Sequence, residues 1–377
     1  MEIQLFVPSF HVDECLQEIR ECLEKGWPGL GFKTIAFEEA WKKYSNLPCA
    51  HFVNSGTAGL HLAVNVLKKR LHWKEYDEII TTPITFISTN HVILYEKLKP
   101  VFADIDRYAC LDPDDVIKKM SKKTRAVMFV GLGGNIGQYE KIVEICNQQQ
   151  LVLILDAAHM SGTKIDGQQV GKEAAVAIFS FHAVKNLPTA DSGMICFSST
   201  EDDAFVRKLS WLGIDKDTYT RTVSIGTHNK WMYDVEDIGF KYHGNSIMAA
   251  IGLVQLRYLD RGNEYRRYLA DRYTSVLTGC NTIQMVPAAP ACESSRHLFQ
   301  ILVDNRDKLI SALNENGVYP GVHYRDNTTY SMYRYARGTC PHAHEISERL
   351  LSLPLHLRMT KDDVDKVAEL VIKHTRK

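Results

Sequence analysis

The sequence predicts an α/β chain built on a largely parallel sheet, followed by a smaller α+β domain. Three observations carry this. From about residue 50 to 200, short apolar runs alternate with helical stretches, the pattern of strands joined by crossover helices. The runs AVMFV (126–130) and LVLIL (151–155) are almost wholly apolar, as strands covered on both faces must be. After residue 200 that alternation stops and longer helical patterns take over.

The strands are expected at 49–53, 78–81, 100–102, 126–130, 151–156, 176–179 and 194–197, which makes a mixed, mostly parallel seven-stranded sheet. Helices between them are expected at 58–69, 88–95, 113–120 and 138–148. In the second region, helical periodicity at 245–258 and 264–277 leads to a strand-like HLFQILV (297–303), then helices near 308–316, 345–351 and 360–374. A chain of 377 residues is long for one core, and a boundary near 250 divides it into 1–250 and 251–377. The N-terminal segment is free to pack on the smaller domain.

Composition narrows the function classes. Lys+Arg and Asp+Glu stand at 45 each, so the chain asks for neither a nucleic-acid nor a membrane-surface partner. No apolar stretch reaches the roughly 18 residues of a membrane span, and the first residues lack the pattern of a secretion signal. The nine cysteines are scattered singly, without a CxxC, as expected of free thiols in a reducing cytoplasm. CPHAHE (340–345) gathers Cys340, His342 and His344 in what is expected to be a loop before a helix. Its spacing matches no zinc module, and no metal is expected.

Four segments fall at successive strand ends, where α/β proteins build their sites. NSGTAGLHLA (54–63) joins a strand to a helix through small residues. Its backbone N–H groups at Gly56 and Thr57, together with the helix dipole, favour a phosphate. TTPITFISTN (81–90) places Phe86 where it can lie over a flat ring, although a core position is the commoner fate of a phenylalanine. LILDAAH (153–159) ends a buried strand at Asp156, either as a helix cap or as the carboxylate that faces the nitrogen of a pyridine ring. His159, three residues on, is placed to stack on or bond such a ring. FSFHAVKN (179–186) sets Lys185 just beyond another strand, where desolvation lowers a lysine's pKa and lets it form a Schiff base. An anion cradle, an aromatic face, a carboxylate and a lysine are the parts that hold pyridoxal phosphate.

These residues resemble the DegT/DnrJ/EryC1/StrS group of sugar aminotransferases, which have the fold of type I pyridoxal-phosphate enzymes. The resemblance rests on NSGTAGL (54–60), TPITFISTNHVILYEKLKPVFADID (82–106), LDAAH (155–159), SFHAVKN (180–186), GFKYHGNSIMAAIGLVQL (239–256) and LLSLPLHLRMTKDDVDKV (350–367). It implies that Lys185 is the Schiff-base lysine and Asp156 the partner of the pyridine nitrogen. It further implies that Gly56, Thr57 and Ser180 hold the phosphate and that Phe86 and His159 flank the ring. The segment 239–245, with Lys241 and Asn245, would cross from the partner subunit of a homodimer. His323 and Tyr324 in GVHYR are candidates for the substrate side. The implied reaction moves an amino group from an amino acid, L-glutamate, to a keto sugar carried on a nucleotide, with a smaller phosphorylated keto compound as the alternative.

Three positions depart from the family pattern. GFKYH has Lys241 and His243 where the family often has Asn and Arg, LSWLGI (209–214) lacks an Arg and a His, and VGLGG replaces VHLYG after the strand at 126–130. GLGGNIG (131–137) also imitates a dinucleotide fingerprint and so suggests a nicotinamide enzyme, but Ile136 stands where the third glycine belongs. That reading leaves SFHAVKN unexplained.

Overall fold

The computed structural model describes residues 2–215 and 233–375. Its main sheet comprises β1 (His51–Val53), β2 (Glu78–Thr81), β3 (Lys99–Phe102), β4 (Thr124–Val130), β5 (Val152–Asp156), β6 (Val176–Ser180) and β7 (Gly193–Phe197). The spatial order is β1-β7-β6-β5-β4-β2-β3. β7 runs antiparallel to β1 and β6, and the remaining pairings are parallel.

Side chains leave successive positions of a strand on opposite faces, and both faces here are covered. Val127 and Phe129 of β4, Leu153 and Leu155 of β5, and Ala177 and Phe179 of β6 enter one core with Phe37, Trp41, Tyr139 and Ile142. Their alternates Ala126, Met128, Ile154, Val176 and Ile178 enter the other, against Leu60, Ala63 and Val64. This is why the runs are apolar throughout rather than alternating. The helices that supply the two layers include α1 (Val12–Glu24), α2 (Phe32–Ser45), α3 (Gly56–Arg70), α4 (Ser88–Tyr95), α5 (Pro113–Lys119), α6 (Tyr139–Gln149) and α7 (Thr200–Ser210). Of these, α1, α2 and α7 lie outside the elements expected from the sequence.

α8 (Ser246–Arg257) packs on α1 and α2. After Tyr258 the chain enters α9 (Leu259–Leu277), which packs on α12 (Lys361–Thr375). Between them lie α10 (Arg306–Glu315), α11 (Pro341–Arg349) and an antiparallel sheet of β8 (Ile283–Met285), β9 (Phe299–Val303) and β10 (Leu350–Leu353). Leu269, Tyr273, Ile301, Leu313, Val364 and Val367 form their common core. Ile3 joins that core, because Ile3–Gln4 pairs in parallel with Val318–Tyr319.

The expected helix at 345–351 is corrected. Helix α11 ends at Arg349, and LLSL is strand β10, whose Leu351 and Leu353 pair with Ile301 and Phe299. A short apolar run fits either element until its partner is known. CPHAHE is likewise not a loop preceding a helix, since Pro341 opens α11.

Candidate active site

The strand ends meet at a cavity of about 450 Å3, whose walls include Gly56, Thr57, Phe86, Asp156, His159, Ser180, Lys185, His323 and Tyr324. At one end, β1 turns into α3 through Ser55. The Ser55 hydroxyl caps the helix by accepting from the Ala58 N–H at 3.1 Å. The first N–H groups of a helix have no partner within it, so those of Gly56 and Thr57 remain for an anion. Ser180, the last residue of β6, lies against them. A Cβ on Gly56 would stand 3.0 Å from the Cβ of Ser180, so glycine keeps this cradle open.

Across the cavity, Asp156 ends β5 with 3% of its surface exposed. Its carboxylate accepts from the Thr89 hydroxyl at 2.7 Å and from the Ala158 N–H at 3.1 Å. Thr89 is itself bonded to Thr85 at 2.8 Å. Burial raises the Asp156 pKa, while those two donors and the Lys185 charge pull it down. Lys185 is half-buried, and among the described residues its amine has no hydrogen-bond partner. Burial brings its pKa down to about 8, with the Asp156 carboxylate opposing. A buried carboxylate fixed by donors and an unpaired amine with a lowered pKa fit a cofactor that is both a pyridine and an aldehyde.

The glycine segment explains His159. Gly133 has φ +65° inside a turn of 3-10 helix, and its N–H donates to His159 Nδ1 at 3.1 Å. Nδ1 is therefore the unprotonated nitrogen and Nε2 carries the hydrogen of a neutral ring. Burial pushes the His159 pKa well down, with Lys185 and His323 adding to it. Tyr324 OH lies 3.3 Å from Nε2, and the His297 ring 4.3 Å from that of His159. GLGGNIG is thus a buried support for His159 rather than a dinucleotide cradle, and the Gly134 carbonyl accepts from Thr163. Phe86 is not a core residue. It is 57% exposed on the cavity wall, 6.1 Å from the Tyr324 ring.

Some expected residues are not brought together within this chain. The Lys241 amine lies 3.1 Å over the Trp211 ring, away from the cavity wall, and burial lowers its pKa. Asn245 caps α8 by accepting from Met248 N–H. In the 340–345 segment, Cys340 is buried, His342 bonds the Ile105 carbonyl at 2.8 Å, and His344 faces Asp326 at 3.2 Å. Three residues went unassigned in the sequence. Thr89 lies within TTPITFISTN, but nothing local links it to Asp156. Asn186 accepts from His297 Nδ1 at 2.9 Å and donates to Asn263 at 2.7 Å. His297, 2% exposed, stacks on Phe6 and lies tilted against His159, both far from it in the chain.

The same arrangement of chain is found in known proteins. This chain is 33% identical to the spore coat polysaccharide biosynthesis protein SpsC of Bacillus subtilis (strain 168), over 95% of this chain and 93% of that one. The aminotransferase TlmJ from Streptoalloteichus hindustanus superposes with a TM-score of 0.91 at 29% identity, covering 99% of both chains. PseC of Helicobacter pylori, an aminotransferase involved in the biosynthesis of pseudoaminic acid, superposes at 0.90 with 25% identity, covering 100% of this chain and 99% of its own. No helix among the described residues is long and apolar enough to cross a membrane. Residues 11–372 match one family from end to end, and with that match the lysine and aspartate at the strand ends take their meaning: the chain is a member of the DegT/DnrJ/EryC1/StrS aminotransferase family.

Proposed function

We propose that this aminotransferase uses pyridoxal phosphate to carry an amino group from L-glutamate to a keto sugar, most fittingly a keto-deoxy sugar linked to a nucleotide. The observation that carries the reading is the pairing of Lys185 and Asp156 across one cavity, with an anion cradle at its end. Relatives named for polysaccharide and pseudoaminic acid biosynthesis support the sugar as acceptor.

When bound, pyridoxal phosphate supplies the electron sink that lets an amino acid's α-carbon give up its proton. Gly56, Thr57 and Ser180 would hold its phosphate, Phe86 would cover one ring face, and Asp156 would keep the ring nitrogen protonated. Thr89 and the Ala158 N–H occupy two of the Asp156 acceptor sites, and the rest would be available to the ring nitrogen. Neutral His159, with its hydrogen on Nε2, is fixed as a donor. Lys185 would tether the cofactor, and once displaced by the substrate's amine it is the base that takes the α-proton. Its pKa of about 8 suits that task near neutral pH, because a useful fraction of the amine is unprotonated.

A homodimer is part of the same reading. Lys241 and Asn245 sit outside their own chain's cavity, and Phe86, Tyr95 and Ile238 are exposed apolar residues. A second subunit would cover that surface and bring Lys241 to the phosphate.

The test is an absorbance spectrum of the purified protein before and after L-glutamate, with Lys185→Ala alongside. A long-wavelength band that glutamate removes, and that the variant lacks, is the expected result. Colourless protein that takes up no added pyridoxal phosphate would sink the proposal. Amine transfer to nucleotide-linked keto sugars, set against smaller phosphorylated keto compounds, then decides the acceptor. Mixing inactive Lys185→Ala and Lys241→Ala chains should restore part of the activity if sites are shared.

A further inference from the structure

Lys185 also borders a second, smaller cavity of about 30 Å3. Its walls come from the Phe6–Ser9 segment, the loop that carries Lys185, the end of α8, and Gly262, Arg266 and His356. Arg266, on α9, is 5% exposed. Its Nη1 donates to the Leu355 carbonyl at 2.8 Å. Its Nε is buried with no partner, and no carboxylate pairs with the guanidinium among the described residues.

The residues around this cavity include two cations, Arg266 and Lys185, and no Asp or Glu. Taking a charge out of water without a counter-charge is strongly unfavourable. The polar neighbours are already committed. The Asn186 amide is shared among His297, Asn263 and Ser295, and the Gln255 amide is bonded to Ser9 and His11. His356 accepts from the Arg358 N–H at Nδ1 and faces the Gln4 carbonyl from Nε2, so it is neutral and offers no negative charge. Asp363, the carboxylate that acts on His356, is held by the N–H and hydroxyl of Thr360 at 2.8 Å each. Burial alone accounts for the shift of Arg266, whose pKa falls to about 10. Among the described residues no anion offsets that charge.

We propose that this cavity is a binding site for one small monovalent anion of chloride's size, seated on Nε and Nη2 of Arg266 behind the Lys185 loop. The volume suits it. A water needs roughly 10–15 Å3 of such space, so about 30 Å3 admits a halide. The anion would tie α9 to the loop that presents Lys185 and would supply the counter-charge that Arg266 lacks among the described residues.

The test uses the intact protein. Crystals soaked in sodium bromide should show an anomalous peak within hydrogen-bonding distance of Arg266, unchanged by added L-glutamate. In solution, bromide replacing gluconate at constant ionic strength should raise Tm by roughly 1–3 °C and saturate, as ligand linkage requires. Arg266→Met should abolish that saturable rise, and the soak of the wild-type protein decides the matter if the variant does not fold. A cavity that holds water or a partner subunit's carboxylate in bromide-soaked crystals would overturn the proposal. So would a Tm that responds equally to bromide and gluconate. Displacement of bromide by glutamate would mean that the site takes the donor's carboxylate instead, and would overturn the inorganic assignment.

Discussion

Replacing Lys185 with methionine should stabilise the cofactor-free protein at neutral pH, and the gain should fade as pH rises. The reason is the burial of an ammonium. In the unfolded chain a lysine keeps its proton to about pH 10.4, whereas in the folded chain Lys185 loses it near pH 8. Between those values the unfolded state binds more protons, so stability rises with pH. The cost of the buried charge is fully present below pH 8 and gone above the unfolded pKa. One pH unit is worth ~1.4 kcal/mol, so the cost is ~3 kcal/mol at pH 7 and still ~1.4 kcal/mol at pH 9.5. Solvent reaching the half-buried side chain screens both figures and leaves a difference of about 1–2 kcal/mol between the two conditions. Urea unfolding of the cofactor-free wild type and Lys185→Met at pH 7 and 9.5 measures it. Other titrating groups are common to both proteins and cancel. The attraction of Asp156 for the ammonium is already contained in the folded pKa of about 8. A stability difference that stays constant from pH 7 to 9.5 would refute the reasoning.

Other perturbations follow from single contacts. Thr89→Val removes the hydroxyl donor to the Asp156 carboxylate. A hydrogen bond to a charged group is worth ~1.5–3 kcal/mol, so the half-reaction with L-glutamate should fall about 10- to 100-fold. Its acid limb should move to higher pH, and Thr89→Ser should restore it. Gly56→Ala sets a Cβ 3.0 Å from that of Ser180, and should weaken cofactor binding by about tenfold in equilibrium dialysis while Tm changes little. Phe86→Ala removes an exposed aromatic wall. Stacking is worth about 0.5–1.5 kcal/mol, so cofactor affinity should drop about 2- to 13-fold. At Gly134, with φ +86°, an added Cβ would lie 2.2 Å from Ser295 Oγ, so Gly134→Ala should lower Tm by several degrees and cut soluble yield.

Legibility in the sequence followed the range of the interaction. β4, β5 and β6 could be placed because covering on both faces leaves an almost purely apolar run, a signal carried by each strand alone. Asp156 and Ser180 close strands, Gly56 opens α3 just after β1 and Lys185 follows β6 by five residues, and a strand's end fixes where the next few residues go, so chain order alone places all four near the strand ends. The helix expected at 345–351 ran two residues into β10, because helix and strand differ there only in a partner fifty residues away, Phe299–Val303. GLGGNIG, set aside as a nucleotide loop because Ile136 replaces the third glycine, uses its glycines for backbone turns and a bond to His159.

What the sequence by itself determined is the sheet's alternation and the order of chemical groups at its strand ends, both products of near neighbours along the chain. What only the tertiary structure decided lies across the chain. Thr89 holds Asp156 over 67 residues, and Gly133 sets the tautomer of His159. Phe6 and His297 stack beside His159, and Arg266 is buried behind Lys185 without a counter-charge. Hydrogen-bond partners and dielectric surroundings exist only once distant segments pack. The sequence therefore names the groups at the strand ends, and the packing sets their protonation and direction.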